Sequence, residues 1–480
     1  MWRRSCWLIG QCACCDWGNS PFSPSGESIG LRPITLQTAH RCKALRCSGR
    51  YSLRVRCSHL TALKLIRQAR AASYWPPEKL RAHQEHHLRL LLEHAYANVP
   101  LYRRLYDEAG FRPEQFRSLA DVKRIPLLRK GVLKAAAAHD VLAGGTDRSQ
   151  CTVVCTSGST GVPLKMYLGP FETQWQRAAA WRILFEHGYR WTDRTLEIRM
   201  TPGPSHWMQK LGIAPKDWLS ILDPPLFWAQ CLAKKKHQII VASATTLGAL
   251  AEAVESAGLE VKAPRLIISD SETLPPSARE LVHRVLKTDP IDVFGLVEVS
   301  NFAWQCELRS GYHVSADSHL VEIDAAPGDI GPMIITDLQM RTMPIIRYDC
   351  GDMAQSMREG QTCGCGRTLP IIPQVFGRAI DSVLLPDNRR LYWPFFHEIL
   401  GAQEEILQWR VTQTSAREIR LQLALLDREM DRTESIAAEI RKQLPRDIEL
   451  VTELVERFEY APNQKVRQVI SHIKPAASGT

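Results

Sequence analysis

An α/β fold with a large N-terminal domain and a small α+β C-terminal domain is predicted by three features of the chain. Short apolar runs at residues 195–200, 238–242 and 265–269 alternate with helical stretches such as 247–257 and 277–286, the pattern of a sheet with helices on its faces. That pattern stops near residue 377, and after Pro394 a helix, two strands, a second helix and a strand follow one another. With 480 residues, 45% hydrophobic and 23% charged, the chain is too long for a single core.

The first 71 residues stand apart. Nine Arg and Lys lie in residues 1–60 against Asp16 and Glu27, so this stretch supplies seven of the ten net positive charges. A basic nucleic-acid face on the main body is therefore not expected. Seven of the fourteen cysteines lie here too, without periodicity, so a reducing, cytoplasmic compartment is the simpler reading. Trp7-Leu8-Ile9 is too short to span a membrane, and no membrane partner is expected. We read residues 1–71 as a basic, Cys-rich extension, disordered or a misassigned start, in preference to a transit peptide.

Beyond it, Leu80, Leu88, Leu91, Leu92 and Ala95 recur at helical spacing over residues 76–98, and a second helix covers 102–109 before Gly110. His83, His86 and His87 share a face of the first helix, but solvated helix histidines are common and a metal set is not expected there. The apolar run at 151–154 then leads into Cys155-Thr156-Ser157-Gly158-Ser159-Thr160-Gly161, and Lys165 to Leu168 fits a returning strand. The hydroxyls of Thr156, Ser157, Ser159 and Thr160 suit phosphate oxygens, and Gly158 and Gly161 let backbone N–H groups approach them. The spacing fits neither G-x-x-x-x-G-K-[ST] nor G-x-G-x-x-G, and the loop does not hold a G-x-S-x-G. A helix over 171–187 follows. Trp175, Trp181, Trp207, Phe227 and Trp228 are read as core before pocket lining.

Further on, Ser269-Asp270-Ser271-Glu272-Thr273 closes an apolar strand, and Phe294-Gly295-Leu296-Val297-Glu298 closes the next. An aromatic ring there can stack on a base, and a carboxylate four residues later suits Mg²⁺. Residues 320–323 and 333–336 form a strand pair around the Pro327-Gly328-Asp329 turn, expected to bring Cys306 and His313 to Cys363 and Cys365. Four N/S ligands fill a tetrahedron, the pattern of a structural zinc site. Free buried cysteines are the alternative.

Taken in order, these stretches resemble the adenylate-forming ligases. The Ser/Thr/Gly loop, Phe294-Gly295-Leu296-Val297-Glu298, Arg347-Tyr348-Asp349-Cys350-Gly351-Asp352 and Gly377-Arg378-Ala379-Ile380-Asp381 match that superfamily's motifs. Tyr74-Trp75, His83-Gln84, Leu92-Glu93-His94-Ala95-Tyr96, Pro100-Leu101-Tyr102, Ile125-Pro126-Leu127 and Cys363-Gly364-Cys365-Gly366-Arg367-Thr368 are similar to the phenylacetate–coenzyme A ligase family, over residues 72–472. The run from Ser382 to Arg389 is closer to the family's capsule-biosynthesis branch.

The resemblance implies an adenylate-forming domain at 72–377 and a small mobile C-terminal domain at 378–480. Residues 156–161, Ser271, Glu272, Phe294, Gly295, Asp352 and Arg378 would hold ATP, with Asp352 on the ribose hydroxyls. Glu298 would hold Mg²⁺, Asp381 would be the hinge, and Cys306, His313, Cys363 and Cys365 would hold zinc. Lys465, where Gln464 replaces the usual glycine, would be swung onto the reacting phosphate. The implied reaction is activation of a small carboxylic acid to an acyl-adenylate, then thioester formation with coenzyme A. Two alternatives stay open: another acceptor (an amine, a carrier protein or a polysaccharide-linked group), and a nonenzymatic zinc-stabilised interaction module.

Overall fold

The computed structural model describes residues 50–156, 163–200, 207–357, 362–378, 382–387, 389–400, 403, 405–425, 433–458 and 468–473. Residues 157–161, Asp381 and Lys465 lie outside the described residues. The segment expected to be disordered up to residue 71 instead ends in a helix, α1 (Arg50–Ala72). Its Leu65 and Ile66 are buried with Trp175 and Ala178. Burying two such side chains contributes about 3–6 kcal/mol, which outweighs the basic composition that suggested disorder.

Helix α2 (Pro77–Asn98) buries Leu80, Gln84, Leu88, Leu91, Leu92 and Ala95, and it ends because Val99 precedes a proline and is extended. Helix α3 (Pro100–Glu108) turns back beside it. The histidines of α2 serve the backbone of the distant half of the domain. His83 Nε2 meets the Asp317 carbonyl at 2.9 Å, and His94 Nε2 meets that of Arg341 at 2.9 Å. Next come β1 (Leu128–Arg129), α4 (Lys130–Ala135), α5 (Ala138–Val141) and the hairpin β2 (Thr152–Cys155)–β3 (Lys165–Leu168).

The main sheet begins after α6 (Pro170–Glu186), with β4 (Thr195–Arg199), α7 (Trp207–Lys210), β5 (Lys216–Ser220), α8 (Pro225–Lys234), β6 (Ile239–Ser243), α9 (Ala244–Ser256), β7 (Leu266–Asp270), α10 (Pro276–Leu286) and β8 (Ile291–Leu296). These five strands are parallel, in the order β5-β4-β6-β7-β8. Their side chains alternate between two cores. Ile239, Val241, Leu266 and Ile268 enter one, while Ile240, Ala242 and Ile267 join Leu247, Leu250 and Val282 of the covering helices in the other. A strand buried on both faces must be apolar throughout, so the sequence shows short continuous runs there. Trp181 packs against the first of these cores and Trp228 lies in the second, Trp175 is buried between α6 and α1, and Phe227, also expected in the core, is exposed.

Strands β9 (Ser300–Gln305) and β10 (Tyr312–Val314) extend the sheet antiparallel. A second sheet is built from β11 (His319–Ile323), β12 (Ile330–Asp337) and β13 (Tyr348–Gln355), with β1 parallel to β13. Strand β14 (Ile371–Ile372) returns to pair with β10, and β15 (Val375–Arg378) pairs with β13.

The C-terminal unit has its own core. It comprises β16 (Ser382–Leu384), β17 (Arg390–Tyr392), α11 (Trp393–Leu400), β18 (Ile406–Ser415), β19 (Glu418–Leu425), α12 (Thr433–Arg441), β20 (Glu449–Leu454) and β21 (Val469–Ser471). Its four-stranded sheet runs β20-β19-β18-β21. Among the described residues, no helix is long and apolar enough to cross a membrane.

Candidate active site

Parallel strands end their carboxyl termini at one edge, and in the main sheet that edge carries the polar residues singled out from sequence. Ser243, Asp270 and Val293 lie in successive register across β6, β7 and β8. Asp270 is gripped at both oxygens by Arg199, at 2.6 and 2.7 Å. Ser271 follows in the left-handed region at φ 69°, and its hydroxyl donates to Asp270 Oδ1 at 3.1 Å. Glu272 Oε2 accepts from the Thr245 backbone N–H at 3.2 Å and its hydroxyl at 2.7 Å, at the start of α9. The side chains of Ser271 and Glu272 are thus engaged within the protein, and Thr273 lies beside β15 of the second sheet. A side chain built on Gly377, beside Arg378, would come to 3.9 Å from Thr273 Oγ1.

Phe294 stands half-buried, edge-on to Phe302 at 5.5 Å. The strand bulges between Phe294 and Gly295, and a Cβ at 295 would strike Asn301 and the Ser300 carbonyl, the latter at 2.7 Å. Glycine is required there by space, and the bulge re-aims the chain toward Glu298.

Glu298 is buried in the turn that follows, and its Oε1 accepts from Lys130 Nζ at 3.0 Å and from the Tyr348 hydroxyl at 2.9 Å. Burial and the Glu298 charge push the Tyr348 phenol far up, so it stays a donor. Arg347, one residue earlier, is turned inward at φ 45° and clamps Glu322 at 3.0 and 3.1 Å and the carbonyls of Lys123 and Ile125. It thereby fixes the segment that delivers Lys130.

Asp352 lies opposite Arg378 across β13 and β15. Burial raises its carboxyl to about 6, Glu298 adds to the rise, and Arg378 and Lys130 oppose it. Glu298, Asp352, Arg378, Lys130 and Tyr348 are one electrostatic cluster, bordered by the β7 and β8 ends. Thr156 stands at the base of the Ser/Thr/Gly loop. It donates its N–H to the Leu164 carbonyl at 3.0 Å, and its hydroxyl accepts from Leu164 N–H at 3.0 Å, closing the loop.

At the opposite end of β9, a length of about 20 Å for its six residues, lies the second cluster. Cys306 Sγ is 3.6 Å from Cys363 Sγ, His313 Nε2 is 3.4 Å from Cys365 Sγ, and all four donor atoms lie within 4.8 Å of one another. The edge of a tetrahedron of ligands around zinc is about 3.5–3.8 Å, so the donor set fits the ion in both chemistry and spacing. Burial pushes His313 down to about 4, leaving it neutral and able to ligate. The β11–β12 hairpin expected to join the ligand pairs belongs to the other sheet. Strand β14, just after Cys365, does the joining by pairing with His313.

No family model matches the chain. Over 329 residues it is 27% identical to the phenylacetate-coenzyme A ligase of Thermus thermophilus, covering 65% of this chain and 73% of that protein. Against the Escherichia coli phenylacetate-coenzyme A ligase it is 26% identical over 331 residues, 64% and 73% of the two chains. The chain is related to the phenylacetate–coenzyme A ligases. Among solved structures, 2-hydroxyisobutyryl-CoA ligase in the postadenylation state matches with a TM-score of 0.66 at 21% identity, over 83% of this chain and 90% of that one. An anthranilate CoA ligase complexed with anthranoyl-AMP matches at 0.50, with 13% identity over 68% and 67%. The fold is that of the adenylate-forming coenzyme A ligases.

Read alongside the phenylacetate ligases, the expected residues Glu298, Asp352 and Arg378 converge, and Phe294 and Gly295 lie on the adjoining edge. Lys130 and Tyr348 join them through Glu298, and the motifs were not quoted for either. Tyr348 sits inside a motif quoted for its other members. Lys130 lies 168 positions from its partner, and nothing local in its stretch marks it.

Proposed function

We propose that the protein is an ATP-dependent acid–coenzyme A ligase that joins a small carboxylic acid to AMP and then passes the acyl group to the thiol of coenzyme A. The reading rests on the convergence of Lys130, Glu298, Tyr348, Asp352 and Arg378 at the carboxyl edge of the main sheet. The relatives, named for acid–coenzyme A ligation, support it.

In this mechanism Asp352 accepts hydrogen bonds from the ribose hydroxyls, and Arg378 holds ribose or phosphate beside it. Phe294 stacks on adenine, and the bulge at Gly295 leaves the base room. The loop 271–273 borders the base through its backbone. Residues 156–161 cradle the phosphates, with Thr156 holding the loop's base shut. Glu298 would hold Mg²⁺, which would shield phosphate charge. Lys465 neutralises the charge that grows on the α-phosphate and carboxylate oxygens as pyrophosphate leaves. Catalysis here is positioning and electrostatics, without a protein nucleophile.

Residues 72–377 form the adenylating domain and 378–480 the mobile one, turning about Asp381. Cys306, His313, Cys363 and Cys365 hold a structural zinc, which needs reduced thiols and so suits the cytoplasm. The Ser382–Arg389 run supports a second reading, in which the acyl group goes to an amine, a carrier protein or a polysaccharide-linked acceptor.

Acid-dependent exchange of pyrophosphate into ATP across a panel of aryl and aliphatic acids tests the first half-reaction, and product analysis with candidate acceptors tests the second. Exchange that is lost in Asp352→Ala and Lys465→Ala is expected. Full exchange in both variants would overturn the site assignment, and no exchange with any acid would leave the zinc-stabilised interaction module.

A further inference from the structure

The large and small units meet at a hydrogen bond that none of the motifs contains. Ser277 Oγ, in the first turn of α10, lies 2.6 Å from His397 Nε2 on α11. The imidazole is held on its other side by aromatic rings. It stacks on Trp393 at 4.5 Å and 18°, with Trp409 tilted at 6.2 Å. Its Nδ1 is buried and has no hydrogen-bond partner among the described residues. A bare lone pair is cheaper to bury than an unpaired N–H, so Nε2 carries the proton and donates to Ser277.

The chain of contacts continues through Trp393. Its indole N–H donates to Gln468 Oε1 at 2.8 Å, and the Gln468 carbonyl accepts from Val411 N–H at 2.7 Å. Gln468 immediately precedes β21, and it follows Lys465 by three positions. A contact made on the large unit is thereby carried, through a stacked ring pair and two hydrogen bonds, to the point where the lysine-bearing segment joins its sheet. The rings of Phe376 and Tyr392, 5.2 Å apart, make a second crossing between β15 and β17, but it is apolar and less directional.

We propose that Ser277, His397, Trp393 and Gln468 form an interdomain latch that orients the small domain for acyl-adenylate formation and must part before thioester formation. The proposal rests on the acid–coenzyme A ligase reading. These are positioning residues, acting through the segment that carries Lys465. A single neutral hydrogen bond is strong enough to bias an orientation and weak enough to break in each cycle.

The test uses the full chain and separates the two half-reactions. Ser277→Ala, His397→Phe and Gln468→Ala are compared in acid-dependent pyrophosphate exchange, and in thioester formation from supplied acyl-adenylate and coenzyme A. Each variant is expected to slow exchange about five- to tenfold, to leave or raise the rate of the second step, and to keep the melting temperature of the parent. His397→Phe keeps the ring stack and removes only the bond. Unchanged exchange, or an equal fall in both steps, would overturn the latch. Solution scattering supplies a readout that does not depend on activity, with Ser277→Ala expected to broaden the spread of domain orientations. If the parent shows no exchange with any acid, the ligase reading fails and scattering alone decides. A Ser277→Ala profile superimposable on the parent's then removes the latch as well.

Discussion

Lys130 and Glu298, 168 positions apart in the chain, meet at 3.0 Å, and the same carboxylate oxygen takes the Tyr348 hydroxyl at 2.9 Å. Lys130 opens α4 immediately after β1, whose Leu128 pairs with Tyr348. One strand pairing therefore delivers both donors to Glu298. The lysine is also one of two cations that hold down the proton affinity of Asp352.

Replacing Lys130 by Met should accordingly do two things. Exchange of pyrophosphate into ATP should fall about 10²- to 10³-fold, as for loss of one preorganised charged donor. The acid limb of its pH profile should move upward, because Asp352 loses a compensating charge and takes up its proton more readily. A profile that drops in height without moving would separate Lys130 from Asp352.

Asp352 itself makes the pH dependence specific. Burial lifts its carboxyl to about 6, while the unfolded chain holds the ordinary value near 4. The folded state binds the proton more tightly, so this group's favourable contribution is fully present below about pH 4 and is lost as pH rises through 6. At pH 7.5 the ionised, buried Asp352 costs stability, about 2–3 kcal/mol for a shift of that size. Asp352→Asn should raise the urea midpoint at pH 7.5 and do so much less at pH 4.5. Binding of ATP should show the opposite trend, weakening below pH 6 as the ribose loses its charged acceptor. In Asp352→Asn the affinity should be low and flat from pH 5 to 8, measured by calorimetry.

The cysteine–histidine cluster should behave as a brace. The purified protein should hold about one zinc per chain. Cys363→Ser should lower both zinc content and melting temperature. Because the cluster lies at the far end of β9 from Glu298, the folded fraction of that variant should keep most of its exchange activity. Activity that disappears while the fold and melting temperature persist would place the ion in the chemistry instead.

How far the sequence could be read depended on the distance over which each residue acts. The α2 helix, the strands around Ile240 and Ile267, and the hairpin at Pro327-Gly328 follow from local periodicity and turn chemistry, and the structure places them within a few residues. That Glu298, Asp352 and Arg378 lie together was legible because a motif compresses tertiary information into one stretch. Lys130 carries no such mark. Its role exists only because β1 pairs with β13. The partners of the Ser271–Glu272 turn were hidden for the same reason, since Arg199 and Thr245 reach Asp270 and Glu272 from a neighbouring strand and helix. The α1 helix was hidden by its basic surface, because four apolar positions facing α6 determine its fate, and composition averages them away.

Arg347 illustrates the same point within a motif and yields a last test. It is buried, paired with Glu322 through two nitrogens, and bonded to two backbone carbonyls of the 123–125 segment. No ligand contact is needed to explain it. Burial raises the Glu322 carboxyl even with the guanidinium beside it, which makes an unpartnered Glu322 expensive. Arg347→Met should therefore lower stability by about 3–5 kcal/mol, the cost of breaking a buried pair from one side. Adding Glu322→Gln should recover part of that loss, because it removes the orphaned charge. Arg347→Lys, which keeps the charge but not the planar fork, should fall between them. If unfolding in urea shows Arg347→Met within about 0.5 kcal/mol of the parent, the arginine belongs to the ligand site and the clamp that carries Lys130 to Glu298 must be sought elsewhere.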